Sequence, residues 1–178
     1  MPRLLTRLLT LLLGTLCIPF AALAQAKAPP EAEQAAKTYM SAFYNGNFQS
    51  AADLAAPETI DRVRDLFFAE LAKVVGTGKE KGFLAHQGVA RPVAELKTMT
   101  PRALYALLAE GRQRRDPKVL EAMKATQVEI VGSEMTTGGG AIVRLRIKMP
   151  EGIGPPSHQA ALALRLVSSE WKVVANAP

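Results

Sequence analysis

The chain has 178 residues, of which 48% are hydrophobic and 21% charged, about one domain's worth of sequence. Those proportions exclude a fully disordered, collagen-like or multi-domain protein. Twenty-two basic residues face 16 acidic ones, a formal net charge of +6, and the single cysteine rules out a disulfide framework.

Residues 1–7 carry Arg3 and Arg7 and no acid, residues 8–20 form a nearly uninterrupted apolar run, and Ala22-Leu23-Ala24 places small residues three and one positions before a cut. This is the three-part pattern of a secretory signal peptide, with an apolar core too short to span a bilayer as a permanent helix. The pattern predicts cleavage after Ala24 and export, to the periplasm of a bacterium or to the medium; an uncleaved anchor is the alternative. Removing residues 1–24 takes away two arginines and lowers the net charge to +4. Cys17 lies inside this segment, and Leu13-Gly14-Thr15-Leu16 before it puts leucine where a lipoprotein signal wants a small residue. A lipid anchor is therefore disfavoured, and the processed chain is expected to have no thiol for metal binding or nucleophilic attack. A domain of this size can bury roughly 70% of its unfolded surface without disulfides.

A short Ala/Pro linker (25–30) precedes a single domain (31–178). Residues 31–44 space Ala32, Ala35, Ala36, Tyr39, Met40 and Phe43 by three and four, predicting a helix with Glu31 and Glu33 at its positive end and Asn45-Gly46 as its left-handed stop. Residues 47–56 read as a short second helix closed by Pro57. A third opens there, with Ile60, Val63, Leu66, Phe67, Leu71 and Val74 as one apolar stripe ending at Gly76. Residues 77–88, rich in Gly and Lys, read as a loop, with a weak strand around 83–89 as the alternative. Thr100-Pro101 is a capping hydroxyl followed by a first-turn proline, and Leu104, Leu107 and Leu108 supply a buried stripe before Gly111. Asp116-Pro117 repeats the device for a short helix through Lys124.

From Thr126 the period changes to two. Val128 and Ile130, then Val143, Leu145, Ile147 and Met149, then Leu162, Leu164 and Leu166 alternate with polar or small residues, and a fourth run starts at Trp171. Turn chemistry at 136–140, 151–156 and 168–170 makes these four strands an antiparallel meander with one apolar and one basic face. Helices packed on one face of a curved antiparallel sheet of about four strands define an α+β domain.

The phrase Ala36-Lys37-Thr38-Tyr39-Met40-Ser41-Ala42-Phe43-Tyr44-Asn45-Gly46-Asn47-Phe48, together with Trp171-Lys172-Val173-Val174 in the last strand, resembles the NTF2-like superfamily (SnoaL and ketosteroid-isomerase-like). In that family a first helix ends in a Gly-Asn or Gly-Asp turn before a short second helix, and a tryptophan precedes alternating valines at the end. The resemblance implies a cone-shaped cavity between helices and sheet. It departs where the family usually places a strand: residues 77–125 read as loop and extra helices, which leaves open whether the cone is empty or filled.

The resemblance brings acid–base chemistry into question, because related isomerases and dehydratases converge a carboxylate or histidine and a tyrosine on an apolar pocket. Tyr39, Asp53, Asp61 and Asp65 are present, but Asp61 and Asp65 share a helix with Arg62 and Arg64, as on an exposed surface. The inward sheet residues carry no ionisable group. His86 and His158 read as loop or strand-edge residues without a second ligand at metal spacing. Gly138-Gly139-Gly140 lacks the lysine and helix start of a phosphate loop and reads as a hairpin turn. Met40, Met99, Met123, Met135 and Met149 have no chelating spacing and read as core filling rather than copper ligands. No catalytic residue, metal or cofactor is expected.

The expected function is a binding or accessory module, with Tyr39, Phe43, Phe67, Leu104, Leu145, Leu164 and Trp171 lining an apolar small-molecule cavity. A cofactor-free isomerase, dehydratase or cyclase is the alternative. Arg112, Arg114 and Arg115 cluster near a helix end, and Arg144, Arg146, Lys148 and Arg165 make a basic stripe on the outer sheet face. That stripe could meet an acidic protein or anionic lipid as part of an envelope complex, or simply keep the face wet. Nucleic acid is not expected, since no aromatics interleave with these charges. Dimerisation through the sheet face, common in the resembled family, stays open because facing arginines repel unless acids such as Glu129 intervene.

Overall fold

The computed structural model describes residues 26–113, 120–121, 123–151 and 156–174. Six helices, α1 (Pro30–Tyr44), α2 (Phe48–Leu54), α3 (Pro57–Ala72), α4 (Glu80–His86), α5 (Val93–Thr98) and α6 (Pro101–Gln113), precede β1 (Gln127–Met135), β2 (Ala141–Lys148), β3 (Ser157–Val167) and β4 (Glu170–Val174) among them. The layout is α+β. The signal segment, Arg114, Arg115 and the start of the helix expected after Asp116-Pro117 fall outside the described residues; positions 120, 121 and 123 are helical.

Helix α1 starts on Pro30 with Glu31 and Glu33 in its first turn, and Gly46 follows its end at φ +74°. It buries Ala32, Ala36 and Ala42, and the small side chains of Ala32 and Ala36 let the backbone lie close on the strands. Tyr44 is buried at its last position, while Phe43, expected on the inward stripe, turns toward α2 and meets Phe48 edge-to-face at 5.7 Å. The expected free linker is packed instead: Ala28 is buried, and the Ala26 carbonyl accepts from Met135 N–H at 2.7 Å along the β1 edge.

The four strands form a meander in the order β1-β2-β3-β4, all neighbours antiparallel. Val143, Leu145 and Ile147 face α1 and are fully buried, with Arg144, Arg146 and Lys148 on the other side. A bulge interrupts β1: Ile130 pairs with Leu145 and Gly132 with Arg144, leaving Val131 unpaired and 39% exposed. Ile130, Ser133 and Met135 therefore all point to the helix side. Ser168 and Ser169, both at positive φ (49° and 68°), make the tight turn into β4. The far edge of β4 is covered by the α2–α3 connection, where Ala56 N–H donates to the Val173 carbonyl at 2.8 Å.

The apolar interior has two parts. One lies between α1 and the sheet, built from Ala32, Ala36, Tyr44, Val128, Val143, Leu145, Ile147, Leu164 and Val173. The other is wholly helical: Phe67 and Leu71 of α3, Leu84 of α4, Leu96 of α5, and Leu104 and Leu108 of α6. Residues 77–88 thus supply a helix, α4, where a loop was expected. Its Phe83 and Leu84 feed the helical core, and Gly82 and the flanking lysines mask the period in the sequence. Leu66 leaves the expected α3 stripe and is 54% exposed, one helical step away from buried Phe67.

The helical part closes on a glycine seam. Helix α6 runs past the expected stop to Gln113, and the end of α4 crosses it with Gly88 (φ +68°) against Gly111. A Cβ on either glycine would collide with the other segment's backbone. Gly111→Ala should lower the unfolding free energy by about 1–3 kcal/mol in urea titration, the cost of overpacking a tight contact. Gly82→Ala, in α4 with open space around it, should raise it by about 0.5–1 kcal/mol.

Candidate functional site

The seven residues expected to line one cavity divide between the two interiors. Leu145 and Leu164 are buried in the sheet-side cluster with Tyr39 and Trp171 packed against it, whereas Phe67 and Leu104 belong to the helical cluster. Phe43 joins Phe48 at the α1–α2 corner. The structure does not bring them around a common hollow.

It does bring polar groups to the helix-facing side of the sheet, where the sequence pattern showed only hydrocarbon. Strand β3 begins at Ser157, so of the loop and strand-edge alternatives His158 takes the strand end. It pairs opposite buried Ile147 and shares that residue's face. Its Nδ1 is buried without a hydrogen-bond partner, as is Thr126 Oγ1 at the start of β1. At the other end of the sheet Ser133 donates to Glu33 Oε1 of α1 at 2.6 Å, and Lys27 approaches the same oxygen at 3.2 Å. The Ser133 hydroxyl, helped by Lys27, holds the Glu33 carboxyl below its ordinary pKa against the opposing effect of burial. His86 ends α4 and is exposed.

Tyr39 of α1 and Tyr105 of α6 meet hydroxyl to hydroxyl at 2.8 Å, a polar contact between the helix on the sheet and the helical cluster's α6. Burial, followed by the neighbouring Tyr105 hydroxyl, pushes the Tyr39 phenol well above the usual tyrosine range; Tyr44 is raised by burial too. Each hydroxyl of the pair has the other as partner, so the contact acts as a tie between elements.

The helical half carries surface grooves. One of about 750 Å³ runs between α4 and α5, walled by Leu84, Ala85, Val89, Ala90, Pro92 and Val93. Its charges are tied or face solvent: Glu80 accepts from Gly76 N–H at 2.7 Å, Arg91 pairs with Glu95, and Lys81 is exposed. A second, of about 350 Å³, lies between α3 and Lys97 and is lined by Phe68, Leu71, Ala72 and Val75.

Arg144, Arg146 and Lys148 do form an outward row on β2, with Arg165 on β3, but the fold supplies acids to match. Arg144 binds Glu134 at 2.6 Å, Lys148 binds Glu129 at 2.7 Å, Arg146 approaches Glu129 at 4.0 Å, and Arg165 binds Glu58 at 2.7 Å. The hydrogen bond from Lys148 lowers the Glu129 pKa. The face is a mixed-charge lattice. On α3, Arg64 pairs with both Asp61 and Asp65 at 3.1 and 3.0 Å, and Asp53 lies 4.0 Å from Arg102, with Asp53, Asp65 and Arg102 exposed and Asp61 and Arg64 half-buried.

Among the described residues no three His, Cys, Asp or Glu side chains gather as a metal group, and no helix is long and apolar enough to cross a membrane. No family model, curated protein or solved structure matches this chain.

The tyrosine tie has a measurable pH signature. A phenol whose pKa is raised in the folded state contributes stability that is complete below pH 10, the ordinary value, and is lost above it as unfolded tyrosine ionises while folded Tyr39 keeps its proton. Tyr39→Phe should cost about 1 kcal/mol at neutral pH. It should also flatten the alkaline decline seen in urea titrations of the parent protein above pH 10. An unchanged alkaline slope would remove this assignment.

Proposed function

We propose that the chain is an exported binding or accessory module of NTF2-like build, holding an apolar small molecule in the groove between α4 and α5. The observation that carries this reading is the wall chemistry: a groove of about 750 Å³ lined by aliphatic side chains, with its charged residues tied or facing solvent. That volume falls within the range of small-molecule sites, roughly 300–1,000 Å³, and such sites are mostly apolar with few polar anchors. Export rests on the basic, apolar and small-residue pattern of residues 1–24.

The helix-and-sheet order and the Trp171-Lys172-Val173-Val174 ending support the NTF2-like layout. In this chain the helical addition α4–α6 takes over the role of ligand site from the resembled cone. The second reading, a cofactor-free isomerase, dehydratase or cyclase, has one observation in its favour, the His158 imidazole on the helix-facing side of the sheet. The internal pairing of Arg144, Lys148 and Arg165 favours a small-molecule role over an electrostatic envelope partner.

The test is a thermal-shift titration with apolar aromatic probes such as phenylnaphthylamine. Binding to the folded state alone at a hundredfold excess over Kd contributes about 2.7 kcal/mol, which should raise the melting temperature by about 5–10 °C. Ala85→Trp, placed on an exposed position of the groove wall, should abolish the shift while leaving the unliganded melting temperature within about 2 °C, as for ordinary surface substitutions. An unmoved melting temperature across the probes, or a shift that survives Ala85→Trp, would overturn the proposal.

A further inference from the structure

The groove between α3 and Lys97 has an apolar wall on one side and a single charged residue on the other. Phe68, Leu71, Ala72 and Val75 stand at i, i+3, i+4 and i+7 along α3 and the turn that follows it, so they share one face. Leu71 is almost fully buried, while Ala72 and Val75 are exposed. The wall is firmly held: Phe68 meets Phe67 edge-to-face with ring centroids 5.3 Å apart, and Val75 N–H donates to the Leu71 carbonyl at 3.1 Å.

Lys97 makes no ion pair or hydrogen bond among the described residues, although acids stand in the same segments. Those acids are engaged elsewhere: Glu70 binds Lys73 at 2.5 Å, Glu95 pairs with Arg91, and Glu80 accepts from Gly76 N–H at 2.7 Å. Helix capping does not claim the ammonium either. The Glu70 and Leu71 carbonyls at the end of α3 accept from Lys73 and Val74 N–H, and the Glu95 carbonyl of α5 accepts from Thr98 Oγ1 at 2.8 Å. We propose that this groove binds an aliphatic monocarboxylate, its chain along the α3 face and its carboxylate at Lys97. Charge decides the class. A lysine beside an apolar wall contributes its methylene stem to the surface and keeps its ammonium at the water's edge, where an anionic head group finds an ion partner. A neutral chain gains no such partner, and a cationic one is repelled. The volume of about 350 Å³ lies at the low end of small-molecule sites, as suits a single chain. This site is separate from the α4–α5 groove and takes a different ligand class.

The test is an NMR titration of the full chain with decanoate and with decyltrimethylammonium, both below micelle formation. Decanoate should bind the more tightly and shift the resonances of Phe68, Ala72, Val75 and Lys97. Octanoate, a shorter chain, should bind several-fold more weakly, because each fully buried methylene is worth about fourfold in affinity. Lys97→Met keeps the stem and should weaken decanoate about threefold, the strength of one exposed ion pair. Lys97→Glu should reverse the preference between the two amphiphiles. Ala72→Trp should abolish binding, and Ala85→Trp, which fills the α4–α5 groove, should leave it unchanged, so the two sites stand or fall separately. Lys97 and Ala72 are exposed, and substitutions at such positions leave the fold intact. Equal affinity of the parent protein for the two amphiphiles, an unreversed order in Lys97→Glu, or shifts confined to the α4–α5 groove would overturn the proposal. So would binding to anionic vesicles without binding to monomeric decanoate.

Discussion

One helix covers the sheet, and how closely it can lie there is set by alanine. Ala32 and Ala36 are fully buried on α1, so the helix backbone rests near Val143 and Leu145 instead of standing off on long side chains. Tyr39, Met40 and Tyr44 pack into the same cluster beside that contact. The ends of the contact are pinned by polar groups, Glu33 with Ser133 at one end of the sheet and the Tyr39–Tyr105 pair on the α6 side. Ligand-sized grooves lie on helices α3 to α6.

Those helices form their own interior, and its economy is different. Phe67, Leu71, Leu84, Leu96, Leu104 and Leu108 come from four short or medium helices, none of which could bury its stripe alone. They are held at close range by the contact of Gly88 with Gly111, where backbone meets backbone. An arrangement of short helices around a glycine contact leaves gaps at its rim, and the α4–α5 groove is such a gap. Fold and proposed function are therefore linked through helix length: pieces of six and seven residues cannot cover one another completely.

Much of this was legible in the sequence because it rests on periodicity. The alternation from Val143 to Lys148, the Asn45-Gly46 stop and the Thr100-Pro101 start each specify local backbone, and the meander follows from short turns. What escaped has a common cause in long-range placement. His158 reads as a loop or strand-edge residue because Gln159, Ala160 and Ala161 beside it make a weak strand pattern, and only pairing with Ile147 shows which face it takes. The acids that neutralise Arg144 and Arg165 come from Glu134 on β1 and Glu58 on α3, too far away in sequence to be paired by inspection. Ala26 and Ala28 resemble linker by composition and become structure through one ladder bond and a close-packed methyl group. The short α4 hides behind Gly82 and its lysines, since seven residues give too little length for a period to show.

The bulge at Val131 reverses the odd–even count of β1 halfway along its length. Before it, even-numbered residues such as Val128 and Ile130 look toward α1; after it, odd-numbered Ser133 and Met135 do. The hydroxyl that Glu33 relies on is delivered by that reversal, as is the strand end that Ala26 docks onto. If Val131 were drawn into regular pairing and the bulge ironed out, Glu134 would thread toward the interior and Ser133 would turn to solvent, so the anchoring of the first helix depends on how this one residue is accommodated as much as on any side chain.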